Sequence, residues 1–280
     1  PQTTSRQTLV NTTNAPVKVT YVVKPIGVST GNCAGPTFNV EVTVNPKPTI
    51  ANKTATICSG GSVAINPVNA TDIVPANTTY TWTISLDNNN ITGQTDASTA
   101  QSNFVQTLVN TTNAAQTIVY TVTPTSGAAG NCVGATFTVT ITVNPIPVIP
   151  NTLTTICTGT AFTVSPSGTS GSTIVPVGTT YTWSVASNSN VTGQSNQFID
   201  QNNISQTLTN TTNASETVIY TVTPLASGCA GNNFTVSVVV APKPSIANIA
   251  AAICSDDLLQ VTPANGTNIV PANTEYTWTI

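Results

Sequence analysis

The sequence has no histidine and almost no charge: six Lys or Arg and nine Asp or Glu in 280 residues, 5% in all. An average soluble protein carries roughly 25%. Without histidine, neither a Ser-His-Asp nor a Cys-His nucleophile can be assembled. Six basic residues provide no patch for neutralising phosphates, which excludes nucleic acid and anionic membrane surfaces as partners. The acidic residues, Glu41, Asp72, Asp87, Asp96, Asp200, Glu216, Asp256, Asp257 and Glu275, are scattered. Only Asp256 and Asp257 adjoin, far short of the roughly six to eight oxygen ligands that calcium takes. They read as turn residues, standing where Ser-Gly and Thr-Gly follow Cys58 and Cys157.

Other signals are missing too. No apolar run approaches the roughly 20 residues needed to span a bilayer, so no membrane insertion is expected in this segment. No secretory leader opens at Pro1, and any export signal is expected outside these residues. There is no helical periodicity, hence no phosphate loop opening a helix. Lys18, Lys24 and Lys53 do not recur at a fixed spacing, which argues against lysine cross-links as a general device. These absences together predict a protein that is not an enzyme and holds no cofactor and no metal.

What is present is repetition. The stretch LVNTTNAAQTIVYTVTP, from Leu108 to Pro124, returns as LTNTTNASETVIYTVTP from Leu208 and as LVNTTNAPVKVTYVVKP from Leu9. A period near one hundred residues marks a tandem array of one domain. Hydrophobic content is 39%, laid out in alternating β-branched runs, which favours folded strands over disorder. The reading is all-β, with seven or so short strands per unit arranged as an immunoglobulin-like sandwich. Predicted boundaries are residues 1–48 (the C-terminal half of a repeat), 49–147 and 148–244 (complete repeats) and 245–280 (an N-terminal half). Alternate prolines make stiff linkers at Pro46 and Pro48, Pro145 and Pro147, and Pro242 and Pro244.

In each complete unit, and again in residues 245–280, one strand carries Tyr-Thr-Trp-Thr or Tyr-Thr-Trp-Ser, so Trp82, Trp183 and Trp278 are predicted core residues. Trp82 is the expected centre of its core. Tyr120 and Tyr220 are predicted core as well, either as plain core tyrosines or in something like a tyrosine corner. With the aromatics so placed, few remain for stacking on sugars. Asn-x-Thr/Ser sequons are numerous, Asn52, Asn69, Asn77, Asn90, Asn110, Asn190, Asn210 and Asn233 among them, as expected from composition alone.

Six cysteines form two series, Cys58, Cys157, Cys254 early in the units and Cys33, Cys132, Cys229 late. Two per unit with no histidine points to structural disulfides in an oxidising compartment. The favoured pairing is within the unit, Cys58 with Cys132 and Cys157 with Cys229, with Cys33 and Cys254 bonded to partners beyond the segment. Closing a loop of roughly 75 residues contributes about 4 kcal/mol on the chain-entropy model. The alternative is Cys58 with Cys229: if the strand before Cys58 runs the length of the domain, Cys58 ends at the far pole from Cys132.

The order of landmarks, ICSG early, YTWT in the middle, YTVTP late and VNPKP between units, resembles the PKD-like and Ig-like repeats of very large cell-surface proteins of the Bacteroidota. Those include gliding-motility adhesins exported by type IX secretion. The resemblance implies an extracellular, cell-surface stalk in an adhesin. The partners are then neighbouring repeats, other copies, or the secretion and surface machinery. A second reading is a self-assembling filament or sheath, because Thr-rich edge strands lacking lysine are poorly protected against pairing.

Overall fold

A computed structural model describes residues 6–28, 31–127 and 130–280. It divides into two compact units, Pro1–Asn110 with Ala115–Asn144, and Thr111–Ala114 with Pro145–Ile280. Each holds one complete sandwich. Among the described residues there are strands and turns and no helix.

In the first unit, a five-stranded sheet runs in spatial order Lys53–Cys58, Phe137–Asn144, Gln116–Thr125, Thr79–Leu86, Ala97–Gln101. Two short pairs form the second layer, Ser62–Ile65 with Phe104–Thr107, and Ile91–Thr92 with Val109–Asn110. The sequence dictates this layering. In FTVTITVN, Phe137, Val139, Ile141 and Val143 fall on one face and are at most 2% exposed, while the threonines between them face outward. Phe104 and Leu108 close the core from the other layer at 1% and 0% exposure. Burying each such side chain contributes roughly 1.5 to 3 kcal/mol.

The second unit repeats the plan with Thr152–Cys157, Phe234–Ala241, Glu216–Ala226, Thr180–Val185 and Gln197–Gln201. Its second layer is Thr160–Val164, Ile204–Asn210 and Val191–Thr192. The aromatic against the core tyrosine changes strand between repeats. Phe104 meets Tyr120 at 5.0 Å between ring centroids; in the second repeat Phe162 meets Tyr220 at 5.3 Å. Phe104 in the first repeat lines up with Ile204, and Val63 lines up with Phe162, so volume lost on one strand is supplied by its neighbour.

In both sandwiches the first and last strands are parallel neighbours. Lys53–Cys58 pairs with Val139–Asn144, and Thr152–Cys157 with Val236–Ala241, six residues each. The chain therefore enters a repeat at one pole and leaves at the other.

Two of the three proline linkers are packed. Pro46, Pro48, Pro145 and Pro147 are buried, and Pro242 and Pro244 are not. A Cβ built on Gly134 would lie 2.2 Å from the Pro48 carbonyl oxygen, and one on Gly231 would lie 2.2 Å from that of Pro147. Only glycine permits that approach. These two linkers are thus seated against the late loop of the repeat that follows each of them.

Residues 6–48 and 245–280 differ from the two complete repeats. In residues 6–48, Phe38, Val40, Val42 and Val44 share a face as expected, but Phe38 and Val40 are exposed. Residues 245–280 contain isolated bridges, Ser245 to Ile269 and Asn265 to Asn268, and no strand. Trp278, predicted as core, is 83% exposed. Its counterparts Trp82 and Trp183 are covered by strands that come later in a repeat, and residues 245–280 contain none of these.

Candidate functional site

One groove is lined by Leu9, Tyr21, Val40 and Val42, which align with the core residues Leu108, Tyr120, Val139 and Ile141. Another, lined by Val261, Tyr276 and Trp278, is likewise built of core-position side chains. Both are faces whose counterparts in the two complete sandwiches are core. Among the described residues no group of three His, Cys, Asp or Glu side chains is placed to hold a metal.

What recurs is polar pinning at fixed places. The first pin is the asparagine that opens NTTNA. Asn210 Nδ2 donates to the Val240 carbonyl at 2.8 Å and the Ala214 carbonyl at 2.7 Å. Its Oδ1 accepts from the Thr212 amide and hydroxyl, and its amide donates to Thr158 Oγ1 at 2.7 Å. Asn11 repeats the set with Val44, Ala15 and Thr13. Asn110 donates to Val143 at 2.9 Å, and its amide donates to Ser59 Oγ. One side chain thereby closes its own turn and ties it to the last strand.

A second pin escaped the sequence reading. Tyr120 donates its hydroxyl to Gln106 Oε1 at 3.3 Å, and Gln106 Nε2 donates to the Thr95 carbonyl, which also accepts from Trp82 Nε1 at 2.9 Å. Tyr220, Gln206, Ser195 and Trp183 repeat this set. The acceptor is a side chain, so the arrangement is not a tyrosine corner. The signal was available: Gln7, Gln106 and Gln206 each stand two residues before the repeated stretch. Trp82 lies at the margin of its core at 7% exposure, whereas Tyr120 at 0% is the more central residue. Burial, with the charge of Asp96, pushes the Tyr120 phenol up to about 12; burial raises that of Tyr220 as well.

One ion pair is confined to the first repeat. Lys53 Nζ lies 2.6 Å from Asp72 Oδ2, and Asp72 Oδ1 accepts from the Ala51 amide. Burial of this carboxyl pushes its pKa up, but the Lys53 hydrogen bond, the Ala51 amide and the Lys53 charge outweigh that and leave it lowered. At the same place in residues 245–280, Asn268 accepts from the Ala247 amide.

The cysteines depart from the favoured pairing. Cys58 and Cys229 are disulfide-bonded, whereas Cys33, Cys132, Cys157 and Cys254 are free thiols. Neither Cys58–Cys132 nor Cys157–Cys229 is formed. Register explains why. Cys58 sits opposite Asn144, at the pole where Gln116 meets Val143. Cys132 follows the other end of the Gln116–Thr125 strand, near the bridge from Thr125 to Val133. Nine residues of strand is about 30 Å, and a disulfide spans no more than about 7 Å between Cα atoms. Cys157 opposite Ala241 and Cys229 opposite Ala226 are parted in the same way. Of the glycine-rich loop 126–134, residues 128 and 129 lie outside the described residues.

Comparison with known proteins agrees with this anatomy. The sequence matches the PKD-like domain family over residues 2–48, 55–147 and 154–244. The chain belongs to that family, as a tandem array of its repeats. No curated protein matches it. Among solved structures it is similar to Drosophila N-cadherin EC1-4, at 15% identity and a TM-score of 0.30, covering 82% of this chain and 59% of that one. It also resembles the D00-D0 domain of intimin, at 11% identity and TM-score 0.30, covering 69% of this chain and 98% of that one. Similarity to the FN1-FN3 domains of chicken CNTN1 is at 11% identity and TM-score 0.29, with 79% and 77% covered.

Proposed function

We propose that these repeats are a tension-bearing extracellular spacer, the stalk of a very long cell-surface adhesin that serves surface attachment or gliding motility and leaves by type IX secretion. The observation that carries the mechanical part is the parallel pairing of first and last strands in both complete repeats. Tension along the chain pulls those strands in opposite directions along their length. Their hydrogen bonds are then loaded together in shear and cannot open one at a time. Disulfide-bonded cysteines support an oxidising, extracellular setting. The neutral Thr and Asn surface supports a spacer whose contacts depend little on salt. Resemblance of the ICSG, YTWT and VNPKP landmarks supports the adhesin assignment.

A second reading, lateral assembly into a filament, is favoured by one feature. The outer strand Gln197–Gln201 exposes Phe198 at 77% and Ile199 at 73%, whereas its counterpart Ala97–Gln101 has neither residue. An apolar, unpaired edge is prone to strand addition. Sedimentation velocity over a hundredfold concentration range separates the two. The spacer reading expects a single monomeric species throughout, and concentration-dependent polymers would replace it with the filament.

A further inference from the structure

Asparagine followed by glycine occurs once in the sequence, at Asn265 and Gly266. We infer that Asn265 is a site of spontaneous covalent modification, where the side-chain amide is lost through a cyclic imide and replaced by aspartate and isoaspartate.

The loop supplies what ring closure needs. Asn265 is exposed, so water and hydroxide reach its amide. The Val270 amide donates to Asn265 Oδ1 at 2.7 Å, the atom on which negative charge develops when Cγ is attacked. The attacking atom is the Gly266 nitrogen, whose own hydrogen bond, to the Asn268 carbonyl, is long at 3.3 Å. Gly266 lies at φ +146°, and among the described residues nothing comes within 4 Å of a Cβ built on it. Having no side chain, glycine leaves the approach of its nitrogen to Cγ open.

The first repeat holds the same loop with one difference. Asn69 is exposed, its Oδ1 accepts from the Val74 amide at 2.7 Å, and it bridges Asp72 as Asn265 bridges Asn268. The residue after it is Ala70, whose methyl group stands beside the nitrogen that would attack. With the donor and the turn shared, that methyl decides which asparagine reacts.

The reaction needs no oxidant and no cofactor. The Gly266 nitrogen gives its proton to hydroxide and bonds to Cγ, while Nδ2 takes up a proton and leaves as ammonia. Water then opens the imide at one of its two carbonyls. Breaking the bond to Cγ gives aspartate; breaking the bond to the main-chain carbon of residue 265 gives isoaspartate, with the backbone one methylene longer. Either product adds one negative charge to a formal net charge of −3. The inference stands apart from the spacer reading, since it concerns the chemistry of a single loop.

The test holds the whole chain in mildly alkaline buffer at physiological temperature and follows it over weeks by isoelectric focusing, peptide mass mapping and methyl transfer by a protein isoaspartyl methyltransferase. The expected result is one new, more acidic band, with the mass change and the methyl label on the Asn265 peptide, while the Asn69 peptide keeps its amide. Gly266→Ala abolishes that band, and Ala70→Gly adds a second site that maps to Asn69. An Asn265 that keeps its amide as long as Asn69 does overturns the inference. So does a Gly266→Ala chain modified at the wild-type rate, or an Ala70→Gly chain in which Asn69 stays intact.

Discussion

Tyr220 donates its hydroxyl to Gln206 Oε1 at 2.8 Å, inside a core where the tyrosine is 0% exposed. The same pair recurs as Tyr120 with Gln106 at 3.3 Å and Tyr21 with Gln7 at 2.6 Å. The glutamine satisfies the one polar atom that a large buried ring brings with it. Replacing Gln206 with Leu strands that hydroxyl, at about 1 to 3 kcal/mol. Tyr220→Phe costs less, and adding it to Gln206→Leu recovers part of the loss. Denaturant unfolding of the three variants measures the coupling.

High pH destabilises the cores. Tyr120 holds its proton to about 12 and Tyr220 is raised too, whereas an unfolded tyrosine releases its proton near 10. Above about 10 the unfolded chain binds fewer protons than the native one, so stability falls as pH rises. Absorbance of tyrosinate is expected to appear for these residues together with the loss of circular dichroism, and not before it.

Asp72 acts at the other end of the scale. Its folded pKa is lowered, so its contribution is complete above the unfolded value near 3.8 and is lost as pH falls through the folded value. Asp72→Ala removes the acceptor for Ala51 and leaves Lys53 unpaired; Asp72→Asn retains the former, as Asn268 does for Ala247. Unfolding midpoints at pH 7 are expected to rank wild type, Asp72→Asn, Asp72→Ala. The gap between wild type and Asp72→Ala narrows at pH 2.5.

The asparagine pin is expected to be worth about 1 to 3 kcal/mol, because Asn210→Ala leaves the Val240 carbonyl buried without its donor. Asn213→Ala, in the same turn but exposed, is expected to change stability by no more than about 0.5 kcal/mol. Equal effects at the two positions contradict the pin.

Packing around the tyrosine ring is transferable between repeats. Phe104→Ile leaves a void and Val63→Phe alone overfills the site, each costing about 1 to 3 kcal/mol. Together they install the arrangement of Phe162 and Ile204. The double variant is expected to cost less than the sum of the two.

Alternation made the strands and most of the core legible, from Phe137 to Val143 and from Tyr181 to Trp183. Pairing across the sandwich was less so. The poles at which Cys58 and Cys132 lie depend on which strands are parallel, and hydrophobic period carries no direction. Gln106 was passed over because a polar residue on a strand reads as solvent-facing, although it is 3% exposed. Trp278 shows the converse: its alternation is that of a core strand, but burial requires partner strands that residues 245–280 do not contain.

Force-extension of the whole chain in reducing buffer tests the spacer account most directly, since no disulfide then contributes. Shear loading of the terminal strands predicts a discrete force peak for each complete repeat, each releasing about 300 Å of chain. Smooth extension without peaks would show that the parallel strands bear no load, and would contradict the account.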